Sequence, residues 1–167
     1  MTATVEQRLK ALGLTLPDAP APVANYVPFH VAGNLLFISG QISRAADGTI
    51  ATGKLGGGVD VAGGRAAAKL CALNILAQAR AALGSLDRVS QVVKLTGFVN
   101  AVPAFAEHPQ VVNGASAQLN QDVTACRSTK RRVVLAMLVR YSIRRQTSIT
   151  CSYGPGAAVV SFGSVKL

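Results

Sequence analysis

The chain has 167 residues, half of them apolar, and a net charge of +10, a length typical of one compact domain. No apolar run approaches the roughly 18 residues that span a bilayer, and charged residues occupy the stretch where a secretory signal needs an apolar core. Three cysteines without metal-ligand spacing favour a reducing, cytoplasmic environment. We therefore expect neither a membrane-spanning nor a disulfide-stabilised protein.

The first quarter of the chain predicts a short helix, an extended connector and a β-hairpin. Helical spacing of apolar residues ends at Gly13, and four prolines between residues 16 and 28 favour extended backbone. The Gly33-Asn34 pair is typical of a hairpin turn. The expected elements are a helix at 5–12, a connector at 16–28, and strands at 29–31 and 35–39.

The second hairpin strand is the most informative segment of the sequence. Leu35 and Phe37 alternate with Leu36 and Ile38, so both faces are apolar and we expect burial on both sides. The strand ends in Ser-Gly-Gln at 39–41, where a hydroxyl and an amide flank a position without a side chain. This arrangement fits a small-molecule pocket, although a core strand ending in a turn is the simpler interpretation of the segment alone.

Two further helices and a strand are predicted downstream. Asp60 and Gly84 fit the N-cap and the stop of a long helix that is apolar on more than one side and therefore buried on more than one side. Its faces are Ala68, Cys71, Ile75, Ala79 and Ala82, and then Leu70, Leu73, Ala77 and Ala81. A strand at 91–99, with Val93, Leu95, Gly97 and Val99 on one face, and a helix at 109–121 follow. The order of elements predicts an α/β or α+β domain with helices on one face of a sheet.

The residues that could carry chemistry favour structural roles. The glycine-rich loop at 53–58 lacks phosphate-loop spacing, the two histidines have no metal-ligand partners, and Ser39 lacks the nucleophile-elbow pattern. Cys71 lies on an apolar helix face, where we expect a buried, inert thiol. Aspartates assigned to caps or a turn are Asp60, Asp87 and Asp47, which leaves no carboxylate pair for acid–base work.

The composition changes abruptly at residue 122. Up to that residue there are nine lysines and arginines and seven acidic residues, whereas residues 123–167 contain eight basic residues and no acidic ones. Such a segment can bind nucleic acid or anionic lipid, but its mixture of apolar runs with arginine, serine and threonine fits a shifted reading frame as well as a basic arm. We predict a domain at 1–122 and an atypical basic tail at 123–167 that is not a natively packed continuation of it.

Short motifs occur through the domain in a characteristic order. They are APVANYVP at 21–28, GNLLFISGQI at 33–42, ATGK at 51–54, CALN at 71–74, LGSLDRV at 83–89, VVKLTGFV at 92–99 and VNGAS at 112–116. Their combination over roughly residues 6–121 resembles the RidA/YjgF family, also called L-PSP endoribonuclease-like, and most of all its longer bacterial branch. The resemblance implies a chorismate-mutase-like fold, a mixed sheet with two helices on one face, and a homotrimer with ligand clefts between subunits. It also implies cytosolic hydrolysis of enamines or imines without metal or organic cofactor.

The resemblance also implies a set of substrate-binding residues, although it identifies no catalytic residue here. Tyr26 matches the family's pocket tyrosine, and Ser39 and Gly40 match the Ser-Gly pair at the end of a cleft-lining strand. Gln41 continues that match, and Asn113 falls on the helix where the family places a polar residue near the cleft.

The tail departs from the family pattern. Family deaminases hold the substrate carboxylate with an arginine, which is the natural bidentate partner of that group, and a final strand follows it. Here no glutamate occurs after Glu107, and Arg127, Arg131 and Arg132 lack the family's flanking residues. The resemblance therefore implies an impaired carboxylate clamp.

Three functions remain open from the sequence. The first is an enamine or imine deaminase, the second a non-enzymatic trimeric protein that binds a small ligand, and the third an endoribonuclease-like RNA binder that uses the basic tail. The RNA interpretation has the least support, because the domain carries a net charge of only +2. The tail also has few aromatic residues for stacking on bases.

Overall fold

The computed structural model describes residues 4–19, 26–123, 133–140, 147–154 and 157–164, and side chains up to residue 121. Within these ranges three helices and six strands form. The helices are α1 (Val5–Ala11), α2 (Val61–Leu83) and α3 (His108–Val123), with a 3-10 turn at Leu86–Arg88. The strands are β1 (Phe29–Ala32), β2 (Leu35–Gln41), β3 (Val89–Val99), β4 (Val133–Arg140), β5 (Thr147–Gly154) and β6 (Ala157–Ser164).

The strands form one mixed sheet in the order β1-β2-β4-β3-β5-β6. Strand β4 is parallel to β2 and β3, and the other neighbouring pairs are antiparallel. Helices α2 and α3 pack against each other and against this sheet. The predicted mixed sheet with two helices on one face is confirmed. Among the described helices, none has both the length and the apolarity that crossing a bilayer requires.

The ends of α2 follow the local sequence signals. The Asp60 carboxylate accepts a hydrogen bond from the Gly63 N–H at 2.8 Å, which satisfies one of the free donors at the helix start. Gly84 ends the helix with a φ of 76°, a left-handed conformation that glycine adopts without strain. Both predicted caps are confirmed. Asp87 also caps a helix, but it does so at long range, by accepting from the Val5 N–H of α1 at 2.8 Å.

Contacts with other parts of the same chain bury α2 on more than one side. On its first predicted face Cys71 and Ile75 are fully inaccessible and Ala82 is half-buried. On its second predicted face Ala77 is buried, Leu70 and Leu73 are half-buried, and Ala81 is exposed. Helix α3 packs along another side, where Gly64 meets the side chain of Val111 and Gly114 lies on the backbone of Arg65. The sheet and α3 therefore bury α2 on more than one side, while part of its second predicted face stays open in the single chain.

Strand β2 differs from expectation because only one of its faces is covered. Leu36 and Ile38 are buried against the helices, at 0% and 5% exposure, whereas Phe37 is 45% exposed and Leu35 is only half-buried. The prediction of burial on both sides is wrong for the single chain. Its physical reason is that both helices lie on the same face, so the apolar residues of the other face remain open.

Strand β3 begins at Val89, and the alternation of its buried and more exposed residues is interrupted. Register with β4 shifts between Val92 and Lys94, and Val92 is buried while Val93 is not. The sequence pattern had placed Val93 on the face of Leu95, and this assignment is wrong. A bulge inserts an extra residue and reverses the phase of the alternation.

Part of the acid-free tail forms strands of the sheet. Strand β4 lies between β2 and β3, and its Met137 is the register partner of both Ile38 and Leu95. Strands β5 and β6 extend the sheet beyond β3. The boundary between a domain at 1–122 and an atypical tail stays a prediction, and residues 124–132 lie outside the described part of the chain.

We expect limited proteolysis of the native chain to cut first between residues 123 and 167, because the tail lacks the composition of the domain and cleavage concentrates in weakly held segments. Mass spectrometry of the first fragments would locate the cuts. First cuts within 1–122, or hydrogen-exchange protection of the tail equal to that of α2, would show that the tail is an integral part of the domain.

Gly114 is expected to be required for the close approach of α2 and α3. A Cβ at this position would overlap the backbone carbonyl of Arg65, so Gly114→Ala must push the helices apart. We expect the free energy of unfolding to fall by about 1–3 kcal/mol, although alanine favours an isolated helix. Gly63→Ala is the control, since its Cβ would meet only side-chain atoms. Equal urea denaturation midpoints for the two variants would contradict this interpretation.

Candidate functional site

The end of β2 is held against the segment that follows the proline-rich connector. The Ser39 N–H donates to the carbonyl of Pro28 at 3.0 Å, and the Ser39 hydroxyl donates to the carbonyl of Val27 at 2.6 Å. These two bonds hold the Val27-Pro28 backbone against Ser39, and Tyr26 lies one residue before Val27 in the chain. The structure therefore brings together residues that the sequence separates by more than ten positions.

The Ser39 hydroxyl is left with acceptor capacity only. A hydroxyl has one donor and two acceptor lone pairs, and here the hydrogen bond from the hydroxyl is made to Val27. Any further partner must therefore donate a hydrogen bond to the Ser39 Oγ. Gly40 follows directly and is half-buried, so the site combines a hydroxyl acceptor with a residue that has no side chain of its own.

Gln41 helps to shape this strand end. Its side chain is only 6% exposed, and its Nε2 donates to the carbonyl of Ser39 at 3.0 Å. The amide predicted to bind substrate is thus used within the chain, where it fixes the peptide between Ser39 and Gly40. Its oxygen remains the group through which Gln41 could contact a ligand.

Asn113, the fifth predicted residue, lies on a different element. It is exposed on α3, and its Oδ1 accepts from the Ser116 hydroxyl at 3.3 Å. Helix α3 packs on α2 and β3. The described part of the single chain therefore groups Tyr26, Ser39 and the two residues after Ser39, and it places Asn113 on a separate helix.

Asn74 was missed as a residue that supports the site. It lies on α2 with 3% exposure, and its Nδ2 donates to the carbonyls of Ile42 and Arg44, both at 3.0 Å. These carbonyls belong to the loop that directly follows Gln41. The signal in the sequence was a single amide in the middle of an apolar helix, where a buried polar group needs partners.

Apolar side chains around this strand end are exposed in the single chain. Tyr26 is 43% exposed, Val27 64%, Phe37 45% and Ile42 38%. A concentration of exposed apolar groups beside a polar cluster is typical of a binding surface. The site is consequently an open surface in one chain rather than an enclosed pocket.

Other candidate groups do not form a reactive centre. Cys71 is fully buried, and burial raises the pKa of its thiol to about 12, so the thiol stays neutral and unreactive, as expected. The backbone N–H of Thr49 lowers the pKa of Asp47 within the predicted turn. In the described parts of the chain, no group of three or more histidines, cysteines or acidic residues is placed to hold a metal ion.

Comparisons of sequence identify the family. A family model described as "YjgF/chorismate mutase-like, putative endoribonuclease" matches residues 6–140, which is more than half of the chain. The chain therefore belongs to the YjgF/RidA family. Among its relatives, Protein TCP17 of Trypanosoma cruzi is 48% identical over 112 residues, which cover 67% of this chain and 70% of that protein.

Solved structures agree with this membership and with the chorismate-mutase-like fold. A crystal structure described as a "putative endoribonuclease" from Shewanella oneidensis has a TM-score of 0.70 and 32% identity, and the match covers 85% of this chain and 91% of that one. The protein Atu1372 of Agrobacterium tumefaciens, described as of unknown function, has a TM-score of 0.63 and 41% identity over 84% and 83% of the two chains.

Replacing Asn74 with aspartate should destabilise the fold. The variant has no amide protons for the carbonyls of Ile42 and Arg44, and it buries a carboxylate against them. We expect the free energy of unfolding at neutral pH to fall by at least about 2 kcal/mol, because orphaned buried acceptors and charged groups are costly.

The destabilisation should also depend on pH. Burial raises the pKa of a new carboxyl above its unfolded value, so the folded variant binds the extra proton and its deficit grows as pH rises through that raised pKa. Urea denaturation at pH 5 and pH 8 measures the effect, with the exposed Asn113→Asp as control. Equal deficits for both variants at both pH values would refute the role of Asn74.

Proposed function

We propose that this chain is a RidA-type protein that hydrolyses reactive enamines or imines derived from amino acids. The observation that supports the proposal is the grouping of Tyr26 with the Ser39 hydroxyl and the Gly40 backbone at the end of β2. This grouping matches the cleft-lining residues implied by the family resemblance. In this reaction water adds to the C=N carbon, the C–N bond then breaks, and ammonia leaves as a carbonyl compound forms.

The geometry suggests a role for Ser39 in this reaction. Its Oγ can accept hydrogen bonds while its O–H donates to the Val27 carbonyl. An imine N–H, or the attacking water, can therefore donate a hydrogen bond to the Ser39 Oγ. Tyr26 adds an aromatic surface and a phenol that can donate or accept, and Gly40 allows close approach of the substrate to the backbone.

The carboxylate clamp is the part of the proposed site that stays undefined. Arg127, Arg131 and Arg132 lie outside the described residues. Without a matching arginine, an amino-acid-derived imine is held by fewer charge-assisted bonds, each of which contributes roughly 1.5–3 kcal/mol. The proposal therefore includes low activity for the chain as it stands.

The proposal also includes a homotrimer that covers the open side of the site. The exposed apolar residues Tyr26, Val27, Phe37 and Ile42 give a second subunit an apolar surface to cover. Helix α2 also keeps part of its second predicted face open, with Leu70 and Leu73 half-buried and Ala81 exposed. A cytoplasmic location belongs to the same proposal and is supported by the cysteine content.

One observation favours a second candidate function, which is ligand binding without catalysis. The residues grouped at the end of β2 supply hydroxyls, an amide and backbone, but no carboxylate, imidazole or thiolate. General acid–base catalysis usually depends on one of these groups. A protein that binds a small ligand and releases it unchanged would need nothing more.

Imine hydrolysis in a coupled amino-acid oxidase reaction distinguishes the two functions. We expect the chain as it stands to be about tenfold to a few hundredfold lower in kcat/KM than a version in which residues 123–167 are replaced by a family-type C-terminal segment. In the replaced version, Tyr26→Ala and Gly40→Val should each reduce turnover. Tyr26→Phe is the matched control that keeps the ring and removes only the hydroxyl.

Light scattering on the same samples separates loss of assembly from loss of chemistry. A variant that remains assembled but turns over slowly supports a direct role for the changed residue. Full activity of the unaltered chain would show that an arginine of the tail replaces the clamp. No activity in either version, combined with saturable ligand binding, would favour the non-enzymatic function.

A further inference from the structure

A second concave site adjoins the loop that follows β2. It has a volume of about 450 Å³, within the range of small-molecule sites. Its walls come from the connector, the turn at 44–48 and α2, and among the described residues they include Leu16, Pro17, Asp18, Arg44 and Asn74. None of the residues grouped at the end of β2 is among these lining residues.

Asn74 gives this cavity a hydrogen-bond acceptor. Both of its amide hydrogens are used, since Nδ2 donates to the carbonyls of Ile42 and Arg44. The two carbonyl partners also fix the orientation of the amide, because an oxygen could not take the position of Nδ2. What remains is Oδ1, on a residue that is 3% exposed and that lines the cavity. The Oδ1 of Asn74 is therefore available to accept a hydrogen bond from a ligand in the cavity.

Opposite charges lie on separate walls of the cavity. The guanidinium of Arg44 lies over the turn, with Nη2 3.8 Å from the position that a Cβ of Gly48 would occupy. Asp18 lies on the connector wall. In the part of the chain that the structure describes, these side chains form no ion pair with each other or with a third residue. The Arg44 guanidinium and the Asp18 carboxylate therefore both line the cavity without forming a salt bridge to each other.

We propose that this cavity binds a free α-amino acid with an apolar side chain. The ligand carboxylate pairs with Arg44, which can bind it in bidentate fashion. The ligand ammonium donates to Asp18 and to the Oδ1 of Asn74, and the side chain lies against Leu16 and Pro17. A ligand with a carboxylate but no ammonium would leave Asp18 and the Asn74 Oδ1 without a donor. A ligand with an amine but no carboxylate would leave Arg44 without an anion. The proposal does not depend on the imine-hydrolysing function.

Titration of the full chain with L-leucine, followed by calorimetry and by amide chemical shifts, tests the proposal. We expect saturable binding and shifts concentrated at Arg44–Gly48 and around Asn74. 4-Methylpentanoate and isopentylamine, which each lack one of the two charges, should bind at least about tenfold more weakly, as should leucine to Arg44→Gln and Asp18→Asn. Both side chains are exposed, so these variants should fold. Arg65→Gln and Glu107→Gln, exposed and outside the cavity, are the charge-matched controls.

Each alternative result would overturn the proposal. These results are the absence of saturable leucine binding, equal binding of leucine and 4-methylpentanoate, or unchanged affinity in both cavity variants. Shifts confined to Ser39–Gln41 would place the ligand at the end of β2 and would also overturn it. Asn74 is left unchanged in this test because its substitution would release the loop as well as remove the acceptor.

Discussion

The close contact between α2 and α3 is the constraint on which the rest of the domain depends. Helix α2 lies against the sheet on one side and α3 on another, and the second contact is possible only because Gly114 has no side chain where it meets the backbone of Arg65. Gly97 plays the same part between β3 and α3, since a Cβ there would lie 2.8 Å from the Val112 side chain. Two glycines therefore set how close α3 comes to the layers beneath it, and a tightly packed interior transmits any change in that distance.

The position of α2 in turn determines the end of β2. Asn74 projects from the buried side of α2 to the loop at Ile42 and Arg44, and Gln41 secures the peptide just before that loop. A shift of α2 would move both carbonyl partners of Asn74, and with them the Ser39-Gly40 pair. The geometry of the candidate site thus depends on helix packing, although Gly114 and Arg65 lie outside the residues grouped at the end of β2.

Local signals predicted the parts of this fold that local interactions decide. The caps Asp60 and Gly84 interact with residues within one turn, so their roles could be predicted from spacing alone. The phase of β3 depends instead on its pairing with β4, some forty residues later, and the alternation of apolar residues could not reveal the bulge near Val93. The exposure of Phe37 was missed for a similar reason, since an apolar strand face is buried only if another element covers it.

In the candidate site, too, some features could be predicted from the sequence, whereas others depend on contacts between distant segments. Tyr26, Ser39 and Gly40 could be named because an ordered set of motifs resembled a family, not because their own types are diagnostic. The sequence could not show that the Ser39 hydroxyl donates a hydrogen bond to the Val27 carbonyl, because that bond depends on how the connector lies against β2. Nor could it show the partners of Asn74, which lie about thirty residues away along the chain.

The bond between Ser39 and Val27 also limits the chemistry that one chain can perform. A serine oxygen can orient a water molecule by accepting its hydrogen bond, but it is too weak a base to remove the proton when that water attacks an imine carbon. The proton must therefore leave through Tyr26, through solvent, or through a group that another subunit or the tail brings to the open side of the site. Binding and orientation can be built from the end of β2 alone, whereas efficient proton transfer requires that something else complete the site. This requirement links the proposed assembly to the proposed activity. A subunit that covers the exposed apolar residues would also enclose Ser39 together with the water molecule that it orients.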